Sequence, residues 1–99
     1  MIVINFKNYK FGKNSLELAR KIERYLPRAI AAVPSVDIDL IAGKTNLKVY
    51  AQHVDNREGK RASGFVLPEA VKKEGAAGTL LNHSEHRISF KEIKETLRR

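Results

Sequence analysis

Residues 1–27 read MIVINFKNYKFGKNSLELARKIERYLP, in which an apolar, β-branched run precedes a segment with helical spacing. The run over residues 2–6 has no clean alternation of apolar and polar side chains, which is typical of a strand buried on both faces. From Asn14 the apolar residues recur every three or four positions, Asn14 and Glu17 are spaced as a capping box, and Pro27 closes the segment. The stretch therefore predicts a strand followed by a helix.

The same strand-then-helix pattern repeats three more times along the chain. Short apolar segments that predict strands cover residues 29–33, 47–51 and 78–81. The segments that predict helices cover residues 37–42 and 68–74, and a last helix begins at a capping box formed by Ser89 and Glu92. Regular alternation of this kind favours an α/β fold with a parallel sheet and right-handed crossovers. We therefore expect four parallel strand-helix units in one domain spanning residues 1–99.

Composition excludes several classes of protein. With 42% hydrophobic and 30% charged residues in 99 positions, the chain belongs to the globular class and not to the disordered one. Cysteine is absent, which removes disulfide frameworks, zinc-thiolate sites and thiol nucleophiles. The apolar run near the start is too short for a secretory signal or a transmembrane helix. We expect a cytoplasmic protein with no membrane partner.

The net charge of +8 raises the possibility of a nucleic-acid partner, because a basic surface attracts phosphate backbones. The basic residues are spread over every segment, with only short pairs such as Lys60 and Arg61, and such spreading is more often a solvated surface. No aromatic-stacking or groove-reading motif accompanies them. Nucleic-acid binding is therefore the weakest alternative, and we expect no specific nucleic-acid partner.

Polar residues that can carry chemistry follow three of the predicted strands. They are Asn5 and Lys7 after the first strand, Gln52 and His53 after the third, and Asn82, His83, Ser84 and Glu85 after the fourth. The carboxyl ends of parallel strands meet at one edge of a sheet, where the functional groups of such folds gather. The sequence therefore predicts an active-site rim at this edge.

Each of these residues also has a purely structural interpretation. Asn5 can cap a turn, Lys7 can be a solvated charge, and His53 can be a polar loop residue. His83 can be a helix-entry residue followed by Ser84 and Glu85 in a first helical turn, where negative charge is favoured. Residue type alone does not decide between the two interpretations, so the argument for a site depends on position.

Two motifs and two longer stretches resemble those of triosephosphate isomerases. Asn5-Phe6-Lys7 is similar to the N-[WF]-K signature after the first strand, and residues 82–87, NHSEHR, are similar to the H-S-E-x-R signature after the fourth. Residues 50–55, YAQHVD, and 64–70, GFVLPEA, resemble stretches typical of the archaeal branch. The matches follow the family order, so the chain resembles the amino-terminal half of an archaeal-type member, which is half of a TIM (β/α)8 barrel.

The resemblance implies specific roles for the rim residues. The family interconverts dihydroxyacetone phosphate and glyceraldehyde 3-phosphate through an enediol, with no cofactor and no metal. Lys7 is implied as the catalytic cation that attracts the substrate phosphate and stabilises negative charge on the reacting oxygens, and Asn5 as a substrate-orienting group. His83 is implied as the catalytic electrophile; in this family, a well-studied case of pKa tuning, a helix amino terminus keeps that histidine neutral. Glu85 and Ser84 are implied as supporting residues beside Lys7 and His83.

The resemblance also implies parts of the site that these four units do not supply. The family's general base is a glutamate after the sixth strand, and its lid and glycine-rich phosphate turns come later still. We therefore expect triose phosphate as the substrate, but negligible isomerase activity without the carboxyl-terminal half. Open edges at the first and fourth strands predict a complementing half-barrel or a homo-oligomer as partner. The alternative function is a self-associating half-barrel module that keeps the rim residues without catalysis.

The loop over residues 58–64 departs from the pattern of the family. Lys60 and Arg61 put charge where family members have small residues in the loop that reaches into the neighbouring subunit. We therefore do not expect the family's subunit contact to carry over to this chain unchanged.

Overall fold

Four parallel strands form one sheet in the computed structural model, which describes residues 1–98. The strands are β1 (Val3–Asn5), β2 (Ile30–Val33), β3 (Lys48–Ala51) and β4 (Gly78–Thr79), and they lie side by side in chain order. The helices are α1 (Lys13–Tyr25), α2 (Ile38–Lys44), α3 (Pro68–Lys73) and α4 (Phe90–Leu97), and a 3-10 turn (Ser35–Asp37) precedes α2. The prediction of four parallel strand-helix units is confirmed.

The core lies on one face of the sheet. The strand register pairs Ile4 with Ala31 and Ala31 with Val49, so these side chains form one row across the sheet. Ala31 and Val49 belong to a buried apolar cluster that includes Ala19 and Ile22 of α1 and Ile38 and Ile41 of α2. The apolar faces of the helices predicted from the sequence therefore cover this face of the sheet.

The second face carries a row that leads to the site. Asn5, Ala32, Tyr50 and Gly78 are register partners from β1 to β4. A Cβ atom on Gly78 would lie 2.6 Å from Cζ of Tyr50, so the tyrosine ring lies directly over the glycine. Glycine at this position is what allows an aromatic ring to occupy the second face beside β4.

Both edges of the described sheet are open, and this corrects one expectation for β1. Its residues were expected to be buried on both faces, but Val3 is 42% exposed and Ile4 is half-buried. The reason is that β1 has a neighbouring strand, β2, on one side only, as β4 has only β3. The predicted open edges at the first and fourth strands are therefore present in the described part of the chain.

One predicted helix cap forms and the other does not. Oγ of Ser89 accepts a hydrogen bond from the backbone N–H of Glu92 at 3.1 Å, which confirms the cap of α4. The capping box at Asn14 was wrong, because α1 begins at Lys13 after Gly12, whose φ is 56° and whose N–H donates to Oδ1 of Asp37 at 2.9 Å. A tertiary contact therefore sets the start of α1 in place of a local cap.

No helix among residues 1–98 is long and apolar enough to cross a membrane.

Gly75 ends α3 in a conformation that disfavours any side chain. Its φ is 110°, and an added Cβ would lie 2.7 Å from Cβ of Ala42. Gly59 has a φ of 80°, but an added Cβ there meets no described atom within 4 Å.

Gly59→Ala should lower the free energy of unfolding by about 1 kcal/mol through backbone strain alone, and Gly75→Ala by roughly 2–4 kcal/mol because overpacking adds to the strain. Urea denaturation measures both, and equal losses would show that the contact with Ala42 relaxes at no cost.

Candidate active site

A cavity of about 500 Å³ opens at the carboxyl ends of the strands. Its lining includes Asn5, Lys7, Gln52, His53, His83 and Glu85, which the sequence placed after three different strands. Asn8, Tyr9 and His86 also line it and were not singled out from the sequence, while Ser84 is exposed and does not appear in the lining. The structure therefore brings six of the predicted rim residues together, whereas Asn82 and Ser84 do not line the cavity.

The turn after β1 holds Lys7 in a strained backbone conformation. The φ of Lys7 is 51°, in the left-handed region that residues with a side chain seldom adopt. The backbone N–H of Lys7 donates to Oδ1 of Asn5 at 2.9 Å, and Nε2 of Gln52 donates to the backbone oxygen of Lys7 at 2.7 Å and to Oδ1 of Asn5 at 3.3 Å. These bonds use the amide oxygen of Asn5, so its amide nitrogen is the group that it offers a ligand.

Lys7 and Glu85 form an ion pair across the cavity. Nζ of Lys7 donates to Oε1 of Glu85 at 3.1 Å, with the two side chains 38% and 59% exposed. The hydrogen bond to Glu85, and next its negative charge, raise the pKa of Lys7 above the ordinary value of 10.5. An exposed pair of this kind adds little to stability. Its effect is to hold the ammonium beside Glu85, in the cavity that His83 also lines.

The raised pKa of Lys7 gives a testable dependence on Glu85. Because the folded pKa lies above that of the unfolded chain, the stabilisation from the pair is present below pH 10.5 and is lost as the pH rises through the folded pKa. Glu85→Gln should lower the pKa of Lys7, measured by an NMR titration of its side-chain carbon signals. Glu17→Gln on α1 is the matched control and should leave that titration unchanged. Identical titrations of Lys7 in both variants would contradict the assigned cause.

His83 lies in a tight turn, residues 82–88, which we call the His83 turn. Asn82 has a φ of 56° and accepts a hydrogen bond from the N–H of Ile88 at 3.0 Å, and the backbone oxygen of His83 accepts from the N–H of His86 at 2.8 Å. The N–H of Glu85 donates to Nδ1 of His83 at 3.1 Å, closer than the 3.7 Å from Nδ1 to Oε2 of Glu85. Since Nδ1 accepts, the proton of the neutral ring is on Nε2.

The structure differs here from the expected helix entry at His83. Residues 84–85 form an isolated turn, and α4 begins only at Phe90, after the Ser89 cap. The prediction that Ser84 and Glu85 form a first helical turn is therefore wrong. A single backbone N–H, that of Glu85, makes the bond to Nδ1 that a helix amino terminus was expected to provide.

His53 takes part in contacts that the sequence did not predict. Its Nε2 donates to Oδ1 of Asp55 at 3.1 Å, and its ring stacks on that of His86 with centroids 3.6 Å apart and an angle of 19° between the planes. The spacing of His53 and Asp55 was the available signal, since a carboxylate two residues away can orient an imidazole. The described residues contain no group of three or more metal-ligating side chains.

Comparisons with known proteins agree with the motifs. The sequence matches the family model of triosephosphate isomerase over residues 1–99. Triosephosphate isomerase of Sulfolobus acidocaldarius is 44% identical, over 100% of this chain and 46% of that protein. That of Methanocaldococcus jannaschii is 38% identical, over 98% of this chain and 47% of that protein. A crystal structure of triosephosphate isomerase from Bartonella henselae has the same fold, with a TM-score of 0.78 at 20% identity, over 98% of this chain and 46% of that one. The chain spans about half the length of these proteins.

Proposed function

Because the chain belongs to the triosephosphate isomerase family and corresponds to its amino-terminal half, we propose that it supplies the substrate-polarising side of the isomerase active site. In this proposal, dihydroxyacetone phosphate and glyceraldehyde 3-phosphate are interconverted only when a carboxyl-terminal half completes the barrel. The observation that carries the proposal is the bond from the N–H of Glu85 to Nδ1 of His83 in the cavity that Lys7 also lines.

His83 acts as a neutral hydrogen-bond donor. With Nδ1 accepting from the backbone, Nε2–H is the donor that the ring presents to a substrate oxygen. When a proton leaves the carbon beside the carbonyl, negative charge develops on that oxygen, and a donor held in place stabilises it without reorganisation. A neutral imidazole in this role is the arrangement for which the family serves as a reference case.

Lys7 and Asn5 hold the substrate against that donor. The ammonium of Lys7 attracts the phosphate dianion and stabilises charge on the reacting oxygens. The bonds from Gln52 to Lys7 and Asn5 fix the strained turn before a substrate arrives, so little ordering remains to be done on binding. The amide nitrogen of Asn5 donates to a substrate oxygen, because its amide oxygen is already bonded within the turn.

Removal of the carbon-bound proton needs a group from outside these four units. Glu85 is the one carboxylate among the described residues that line the cavity, and it is bonded to Lys7. The oxygen of Glu85 nearest to Lys7 is engaged with that ammonium and not with a substrate carbon. The glutamate that the family uses as general base lies in the later units of the barrel, so the carboxyl-terminal half supplies it.

Complementation tests the proposal. The chain is refolded with the remaining, carboxyl-terminal part of the Sulfolobus acidocaldarius enzyme, the 44% identical relative of which it covers 46%. Sedimentation reports complex formation, and isomerisation of glyceraldehyde 3-phosphate is followed by a coupled assay. We expect turnover from the complex and negligible turnover from either part alone. Efficient turnover by the chain alone, or a stable complex without turnover, would refute the proposal.

Self-association is a second candidate, favoured by the open edges. Ile2 and Val3 at the β1 edge are 51% and 42% exposed, and β4 lies at the opposite edge. If β4 of each copy paired with β1 of the other, two copies would close both edges and form eight strands, the number in a complete barrel. Sedimentation velocity of the chain alone tests this candidate: a dimer supports it, and a compact monomer at all concentrations eliminates it.

A further inference from the structure

We propose that His53 is a positioning residue, which holds the His83 turn in place through its ring contact with His86. The stacked rings of His53 and His86 are called the histidine stack below. The catalytic consequence of this inference rests on the proposed function, whereas the physical link between the residues does not. The link has three parts, which are an anchor at Asp55, the histidine stack, and the backbone bond from His86 to His83.

Asp55 anchors the ring of His53 to the base of a loop. The N–H of Asp55 donates to the oxygen of Val66 at 2.7 Å, and the N–H of Val66 donates to Oδ2 of Asp55 at 2.8 Å. The other carboxylate oxygen, Oδ1, accepts from Nε2 of His53 at 3.1 Å. The side chains of His53 and Asp55 are only 11% and 26% exposed. Asp55 therefore closes the loop over residues 55–66 and fixes the orientation of the imidazole.

The histidine stack connects the fixed ring of His53 to the His83 turn, because His86 is part of that turn. The ring of His86 lies 3.6 Å from that of His53, measured between centroids and with planes 19° apart, although His86 is otherwise exposed. The N–H of His86 donates to the backbone oxygen of His83 at 2.8 Å. A residue on an exposed turn loses its mobility when its ring is held against a fixed partner. The stack therefore keeps the turn in the shape that brings the N–H of Glu85 to Nδ1 of His83.

The environment of Nδ1 of His53 supports the inference that the face of the ring is the part that matters. In the neutral ring that donates Nε2–H to Asp55, Nδ1 is an acceptor, and it is buried without a hydrogen-bond partner in the described part of the chain. An unpartnered buried acceptor lowers stability, so the favourable use of an imidazole at this position lies in its other contacts. Here that use is the combination of a bond to Asp55 and a flat face towards His86, which an apolar residue or an amide would not provide.

The test measures the state of the His83 ring by ¹⁵N NMR of the full chain. In the unaltered chain we expect one tautomer, with Nδ1 unprotonated and Nε2 protonated. His86→Ala removes the exposed half of the stack and should move both nitrogen signals of His83 towards the averaged values of an imidazole that exchanges tautomers. His86→Phe keeps a ring against His53 and should retain the single-tautomer signals. Lys91→Ala, at an exposed position of α4 outside the turn, is the control and should change neither signal.

His53→Ala removes the buried ring of the histidine stack and should have the same effect on the signals of His83 as His86→Ala. If that variant fails to fold, His86→Ala still decides the matter, because His86 is exposed and its removal leaves no internal void. Signals of His83 that stay unchanged in His86→Ala would overturn the inference. So would equal changes in His86→Ala and Lys91→Ala. None of these measurements needs turnover, so a failed complementation refutes the proposed function and leaves this test intact.

The complemented enzyme gives a second readout. His86→Ala should lower kcat by about tenfold to a hundredfold, because small displacements of a catalytic group cost rate, while KM changes little. His86→Phe should recover most of the loss. A loss that His86→Phe does not recover would show that the ring face is not the determinant.

Discussion

Replacing His83 with alanine in the complemented protein should lower kcat by about a hundredfold to ten-thousandfold, with a smaller effect on KM. The reason is that, under the proposed function, the Nε2–H of His83 interacts most strongly with the oxygen on which charge develops during proton transfer. His83→Gln should retain more activity than His83→Ala, since an amide N–H can still donate a hydrogen bond. Steady-state kinetics of both variants measure the effect.

The fold of the His83 variants must be intact for this comparison to hold. His83 is half-buried on a turn, and the buried cluster between sheet and helices does not include it. The amide spectrum of the sheet should therefore match that of the unaltered chain. A His83→Ala enzyme within tenfold of full activity would show that another group polarises the substrate.

Lys7→Met should lower kcat/KM by on the order of a thousandfold or more in the same complex, because it removes the cation and retains most of the apolar stem. Lys7→Arg retains the charge but changes the donor geometry, and should recover only part of the activity. Lys10→Met is the matched control, since Lys10 is an exposed lysine of the same segment outside the cavity lining. Equal losses in Lys7→Met and Lys10→Met would point to general electrostatic attraction in place of a specific contact.

The arrangement of the rim was predictable because it follows from topology. Once strands and helices alternate, the ends of parallel strands must meet, and residues as far apart as Asn5 and Glu85 line one cavity. The cap of α4 at Ser89 was predictable for a different reason, which is that all of its parts lie within one helical turn.

The sequence-based predictions were wrong where a local pattern competes with contacts between residues far apart in the chain. The predicted capping box at Asn14 does not form, because a hydrogen bond from Gly12 to Asp37 sets the start of α1. The spacing of residues around Asn14 does not reveal this distant contact. The apolar pattern of β1 predicts burial on both faces, but its exposure depends on which strands lie beside it. The role of His86 depends on a ring from another loop, and no spacing within its own motif indicates that contact.

The closed base of the 55–66 loop has a consequence for how this protein can change over time. Two hydrogen bonds between Asp55 and Val66 join the ends of the loop, and the guanidinium of Arg57 lies 4.6 Å from the ring centroid of Phe65 just above them. Residues beyond this point, including Lys60 and Arg61, lie on an exposed tip. Insertions and substitutions at such a tip alter what the surface offers to other molecules while the frame around His53 keeps its shape. The tip is thus the segment at which new binding specificities can be selected, or grafted by design, independently of the chemistry below it.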